Sequence, residues 1–290
     1  MAEFTTYTKR AKFPVLAAFL IFLITGCVTN HQYVMQDTVS LPDKAGLQYV
    51  VKPPDAISLQ DAHSPDIEDL SESDGNMNTI LEAEKKPMIA LTFDDGPSEF
   101  TKTIVDILEQ NGVRATFFIL GEKAEYLQNI ILYAFKNGNE IASHTWSHVP
   151  LTGLSNKEIK ESIQATNAVI EKITGIPPLS FYRPPYGLVN QRVANASAEV
   201  GYSIVGWTVD PEEWKHQNIN LIYNHIMDYA EENSIILLHD IFAVMPSVVK
   251  LVIPALISKG YQLVTISELL HHVYGELKPG IMYGNPGIVR

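Results

Sequence analysis

From Pro87 onward the chain alternates seven apolar runs of strand length with amphipathic stretches of helical length, and no other feature limits its possible architectures as much. The runs are MIALTFDD, ATFFIL, EIASHT, SFYRPP, YSIVGWTV, SIILLHD and YQLVTI, separated by stretches such as SEFTKTIVDILEQNG, EYLQNIILYAFKNG and SNKEIKESIQATNAVIEKITG. A strand followed by a crossover helix pairs with the next strand in parallel. Gly112, Gly138, Gly175, Gly201 and Gly260 fall just past helical patterns, where a left-handed C-terminal cap favours glycine. Polar residues gather at the C-terminal ends of most runs, where a TIM-like barrel builds its site. No GxGxxG or P-loop pattern marks the ligand loop that an open doubly wound sheet would carry at its switch point. The expected fold is an α/β barrel of about seven parallel strands over residues 87–290.

The preceding residues have a different texture. Lys9, Arg10 and Lys12 come before FPVLAAFLIFLITG, which is too short for a comfortable membrane span and ends at ITGC. This resembles a bacterial lipoprotein signal, with residues 1–27 as the signal peptide and Cys27, the one cysteine of the sequence, as the lipidated residue. Residues 28–86 hold eleven acids and four lysines among Pro, Ser and Asn without sustained periodicity, and read as an acidic flexible linker. A short ordered element around LQYVVKPPDAISL stays open within it. The formal net charge of −12 leaves no basic excess to displace counterions from phosphates, which argues against a general nucleic-acid binder. Oligomeric state is not legible at this level.

The chemistry concentrates at strand ends. In LTFDDGP, Asp94 and Asp95 would face opposite sides if the strand continued, but Gly96-Pro97 prevents that and can swing Asp95 toward the cavity Asp94 faces. Two adjacent carboxylates repel, and a cation beside one resolves the conflict. SHTWSH sets His144 and His148 four apart, so a helical turn there would bring both imidazoles to one face. Two histidines and a carboxylate make a three-ligand site with open positions, which suits catalytic zinc and, on ligand type alone, non-haem Fe(II). RPPYG places Arg183 at a strand end before two prolines. Its guanidinium can orient a carboxylate, and the rigid turn can present the Tyr186 amide as an oxyanion donor. ILLHD ends another strand on His239, a candidate general acid. Trp207 and Trp214 are candidates to line a sugar groove, and the sequon-like NAS at 195–197 reads as helix surface.

Taken in order, TFDDGP, HTWSH, RPPYG, VDPEEW and LLHD resemble the polysaccharide deacetylase family, carbohydrate esterase family 4 with its NodB homology domain, over roughly residues 87–270. The resemblance implies a distorted (β/α) barrel in which Asp95, His144 and His148 bind a divalent metal, usually zinc. It further implies that Asp94 is the general base for the attacking water and that Arg183 holds Asp94. The Tyr186 amide would stabilise the oxyanion and His239 would protonate the leaving amine. Where the family commonly has DxxDW, this chain has Asp210, Pro211, Glu212, Glu213 and Trp214. Asp210 and Glu213 are thus the acids of the segment that supports the catalytic histidine, and the extra methylene of Glu213 puts the tuning of His239 in question.

The expected protein is an exported, lipid-anchored, metal-dependent N-deacetylase of an N-acetylglucosamine polysaccharide, with peptidoglycan as the substrate and the membrane as a partner through the anchor. Alternatives are O-deacetylation of a polymer such as acetylated xylan, an exopolysaccharide (poly-N-acetylglucosamine) or chitooligosaccharide substrate, and a glycan-binding lipoprotein without activity.

Overall fold

The computed structural model describes residues 86–284. The expected signal peptide, Cys27, nearly all of the linker and the last six residues of the chain lie outside the described residues.

The central strand β1 (Met88–Gly96) pairs in parallel with β2 (Thr116–Ile119) on one side and β6 (Ile235–His239) on the other, while β7 (Gln262–Val264) pairs with its first residues. Beyond β2 come β3 (Glu140–Ser143), β4 (Phe181–Tyr182), β5 (Ser203–Val205) and β8 (Met282–Tyr283), giving the order β6-β1-β2-β3-β4-β5-β8 with every pairing parallel. The distorted barrel and its seven expected strands are present. The eighth, β8, is two residues in the Gly- and Pro-containing stretch KPGIMYGNPG, too short to imprint a period-two pattern. The circuit closes unevenly. Past β5, Thr208 and Val209 run beside β6, with Thr208 N–H donating to Ile235 O and Leu237 N–H to Val209 O, both at 2.9 Å. β4 stops at Tyr182 because the two prolines after Arg183 have no N–H to offer a ladder.

Alternation along β1 decides what faces the site. Ile89, Leu91 and Phe93 pack outward among helix residues such as Ile104, Leu108, Val249 and Ile253. Ala90 packs with Phe118, Ala142, Phe181, Val205, Leu237 and Val264 in the barrel interior, so Thr92 and Asp94, of the same parity, also point inward. The surrounding helices include α1 (Thr101–Gln110), α2 (Gly121–Tyr126), α3 (Gln128–Lys136) and α4 (Asn156–Thr174). A single helical stretch around EYLQNIILYAFKNG is thus broken at Leu127. A capping box between Ser155 and Glu158 starts α4, and Gly175 ends it in the left-handed conformation, φ 75°. The other four glycines read as caps also have positive φ. Next come α5 (Gln191–Glu199), α6 (Glu213–His216), α7 (Ile219–Tyr229), α8 (Met245–Ser258) and α9 (Ile266–Tyr274). Of the NAS triplet on α5, Asn195 is exposed as the surface reading expects, but Ala196 and Ser197 face inward and are buried.

Candidate active site

Asp94 pairs with Phe118, and the next residue of β1 in register is Gly96, opposite Ile119, so Asp95 is the extra residue of a β-bulge. Its φ of 69° is left-handed. This bulge, rather than a simple end of the strand, puts both carboxylates on one side. A residue with a Cβ holds such a conformation at a cost of about 1–2 kcal/mol.

His144 and His148 flank the Asp95 carboxylate, with Nε2 atoms 3.4 and 3.2 Å from Oδ1 and ring centroids 5.1 Å apart. The expected helical turn is absent, and residues 144–150 form an irregular loop with Thr145 (φ 69°) and His148 (φ 56°) left-handed. The reason lies in α2: Gly121 N–H donates to Thr145 O and Glu122 N–H to Trp146 O, both at 3.0 Å, so two carbonyls a helix would use internally are taken by its first turn. Trp146 lies against Gly121, where a side chain would collide with the indole. His144 Nδ1 lies 2.8 Å from Arg183 O; with the proton there, the Nε2 lone pair faces Asp95.

The electrostatics suit a cation. Burial would raise the Asp95 pKa, but without a metal the neighbouring imidazoles in their protonated form, His144 first and then His239 and His148, bring it down to about 2. Burial lowers the His148 pKa against the opposing charge of Asp95, favouring the neutral ligand form. The three donor atoms lie within 4.8 Å of one another. Ligand bonds of about 2.1 Å in a tetrahedron set neighbouring ligand atoms about 3.4 Å apart, close to the separations of Asp95 Oδ1 from the two Nε2 atoms. The residues fit a divalent metal.

Asp94 is held differently. Arg183, fully buried, donates from Nη1 to Asp94 Oδ1 (2.6 Å) and Thr92 Oγ1 (2.8 Å), and from Nη2 to Gly206 O (2.8 Å), with its guanidinium 4.0 Å from the Phe118 ring centroid. Asp94 Oδ2 stays on the His144 side, 3.7 Å from Nε2. After Arg183 the chain passes through Tyr186 (φ 60°, ψ 8°), whose ring meets His148 edge-on at 4.5 Å. Gly187, φ 64°, presses onto Trp207 so closely that a Cβ there would overlap the indole.

The cavity also contains His239, whose Nδ1 lies 2.7 Å from Glu213 Oε1, leaving Nε2 on the other side of the ring. Burial would lower the pKa of this imidazole, but the hydrogen bond and charge of Glu213, with the charges of Asp94 and Asp95, raise it to about 9. The question raised by the extra methylene is answered geometrically: fully buried Glu213 reaches the histidine. Asp210 instead accepts the Glu212 N–H at 2.9 Å, shaping the turn before α6, and lines the cavity. The volume is about 380 Å³, walled by Trp207, Trp214, Tyr186, Leu237 and Phe242. Leu237 was legible by parity, two residues before His239 on the same strand face. Phe242, in a loop, carried no sequence signal.

The family model described as polysaccharide deacetylase matches residues 82–205. The peptidoglycan-N-acetylmuramic acid deacetylase PdaC of Bacillus subtilis is 40% identical over 183 residues, 63% of this chain and 38% of that protein. A peptidoglycan-N-acetylglucosamine deacetylase of Bacillus cereus is 33% identical over 192 residues, 64% of this chain and 89% of that one. The chain covers only about two fifths of the length of the first curated relatives it matches. Among solved structures, PdaC gives a TM-score of 0.60 at 40% identity, covering 63% of this chain and 90% of that one. A family 4 acetyl xylan esterase from Clostridium thermocellum, solved with a cobalt ion, gives 0.63 at 31%, covering 68% and 98%. With the Bacillus cereus relative covered over most of its length and the resembling segments converging on one cavity, the chain belongs to the polysaccharide deacetylase family.

Proposed function

We propose that the protein is a metal-dependent hydrolase that removes N-acetyl groups from an N-acetylglucosamine-containing polysaccharide, with peptidoglycan as its substrate. The observation that carries this reading is the division of the two carboxylates: Asp95 faces two imidazoles while Asp94 is clamped by Arg183, and Glu213-backed His239 shares their cavity. Asp95, His144 and His148 would hold a divalent cation, zinc in this reading, which would supply Lewis-acid polarisation of the acetyl carbonyl and acidify water. Asp94 Oδ2 takes the proton of the attacking water, while Arg183 holds the carboxylate in place through Oδ1. The Tyr186 amide donates to the oxyanion, and protonated His239 delivers its Nε2 proton to the departing amine. Glu213 holds that imidazole in place, while the walls of Trp207, Trp214, Leu237 and Phe242 exclude water and seat the acetyl group and sugar.

The deciding experiment incubates metal-loaded protein with peptidoglycan, chitin oligomers, poly-N-acetylglucosamine and acetylated xylan and measures acetate. Release chiefly from peptidoglycan is expected. Release from xylan alone would establish O-deacetylation, the second reading, which the similarity to an acetyl xylan esterase favours. Release from poly-N-acetylglucosamine alone would move the substrate to an exopolysaccharide, and no release from any would leave a glycan-binding protein. The same proposal places the protein in the cell envelope, anchored through lipidated Cys27. Fatty-acid labelling should vanish in Cys27→Ser, the only cysteine being gone, and labelling that persists would refute the anchor.

His144→Ala should lose most of its zinc while remaining folded, because a three-ligand site loses a strong donor and the barrel interior keeps its packing. Metal analysis after gel filtration provides the check, and parental zinc content would reject the ligand set.

Glu213→Gln should lower the pKa of His239, moving the alkaline limb of the rate down by about one pH unit or more, since that limb is the acid losing its proton. Because the folded value of about 9 stands above the ordinary 6.5, the pair contributes stability that is full below pH 6.5 and fades as pH rises through 9. The difference in unfolding midpoint between parent and variant should therefore be widest near pH 6 and close at alkaline pH. A constant difference would show that the pair is not the cause.

A further inference from the structure

Two polar side chains beside the site have no part in the chemistry above. Asp240 follows His239, is fully buried, and does not line the cavity. Its Oδ2 accepts from the Thr101 hydroxyl, whereas Oδ1 has no hydrogen-bond partner among the described residues. The carboxylate lies flat on Gly96, the residue after Asp95, so closely that a Cβ on Gly96 would overlap both oxygens. The same turn is tied again by the Ser98 hydroxyl donating to Asp240 O (2.5 Å) and the Ser98 N–H donating to Thr101 Oγ1 (2.7 Å). On the other flank, Lys123 of α2 donates from Nζ to the main-chain oxygen of Asp95 at 2.9 Å, and Leu120 N–H donates to Gly96 O at 3.0 Å.

Asp95 is therefore gripped on its own carbonyl and on the following residue. That grip falls where the backbone is left-handed at a residue with a Cβ, a conformation that persists only when its surroundings impose it. If the bulge relaxes, Oδ1 leaves the point that both imidazoles face.

We propose that Lys123 and Asp240 are positioning residues that hold Asp95 in its left-handed conformation and thereby set the metal affinity of the Asp95–His144–His148 site. This rests on the reading of that trio as a divalent-metal site. Lys123 reaches Asp95 from a partly exposed position, so its loss leaves the core packed, whereas Asp240 contributes both an acceptor for Thr101 and the bulk that seats Gly96.

The test compares the zinc affinity of purified parent, Lys123→Met, Asp240→Ala and Asp240→Asn by competition with a chromophoric chelator, alongside the thermal midpoint of each metal-free protein. Lys123→Met should bind zinc about tenfold more weakly, as expected for one charge-assisted hydrogen bond, with a metal-free midpoint close to the parent's. Asp240→Ala should lose more than Lys123→Met. Asp240→Asn, which keeps the shape and the acceptor, should stay within about threefold of the parent, a rescue not expected if burying a charge were the function of the residue. Zinc affinity of Lys123→Met within twofold of the parent, in a parent that binds zinc, would overturn the proposal whatever the Asp240 variants do. A parent without zinc binding would defeat the metal reading and this proposal together.

Discussion

Asp94→Asn is expected to bind zinc and to lose deacetylation by a factor on the order of 100 or more, the usual contribution of a positioned general base. The neighbouring substitution Asp95→Asn should instead weaken metal binding first. The two aspartates are adjacent in sequence yet have different partners: Asp94 Oδ1 is committed to Arg183 at 2.6 Å, while Asp95 Oδ1 lies between two imidazole nitrogens. Asparagine at 94 keeps the shape and can still accept from Arg183, but its amide cannot take a proton from water. Turnover at saturating metal, paired with zinc stoichiometry, separates the two variants, and the opposite pattern would exchange their roles.

Arg183→Met should produce the largest loss of stability, about 3–5 kcal/mol, because it leaves the almost fully buried Asp94 carboxylate without its counter-charge. It also strips Thr92 Oγ1 and Gly206 O of their donor. For a folded unit of about 200 residues, each kcal/mol moves the melting temperature by about 2–4 °C, so a drop on the order of 10 °C is expected. Arg183→Lys should not restore it, since a single ammonium cannot reproduce the fork that spans Thr92, Asp94 and Gly206. Calorimetry at neutral pH is the measurement. A shift under 2 °C for Arg183→Met would mean that the buried pair is not the anchor of this end of the barrel. Activity should fall with it, since the Arg183 side chain holds Asp94, whereas the main-chain oxygen that meets His144 Nδ1 is kept in either variant.

Much of this was legible in the sequence because the signals are local. Seven strands announce themselves as apolar runs, the five cap glycines follow helical patterns, and Asp94, Arg183 and His239 each stand at the end of such a run. The conformations that aim the side chains were not legible. The bulge at Asp95 depends on register with β2, and the loop carrying His144 and His148 takes its shape from carbonyls claimed by α2. Glu213 could be placed near His239 only by resemblance, and its reach became known when the turn around Asp210 and Glu212 was in place. Lys123 and Asp240 left no trace in local pattern because their partners are 28 and 139 residues away along the chain.

The first described residues meet the barrel at the end opposite the cavity. Gln262 N–H donates to Pro87 O and Asn233 N–H to Met88 O, both at the foot of β1, while Asp94 and Asp95 stand near its head. At about 3.3 Å per residue, the strand separates these ends by roughly 20–25 Å. The described chain thus enters at the foot of the barrel, so a support coupled directly at Lys86 would sit at the end far from the carboxylates and leave the cleft open to a polymer.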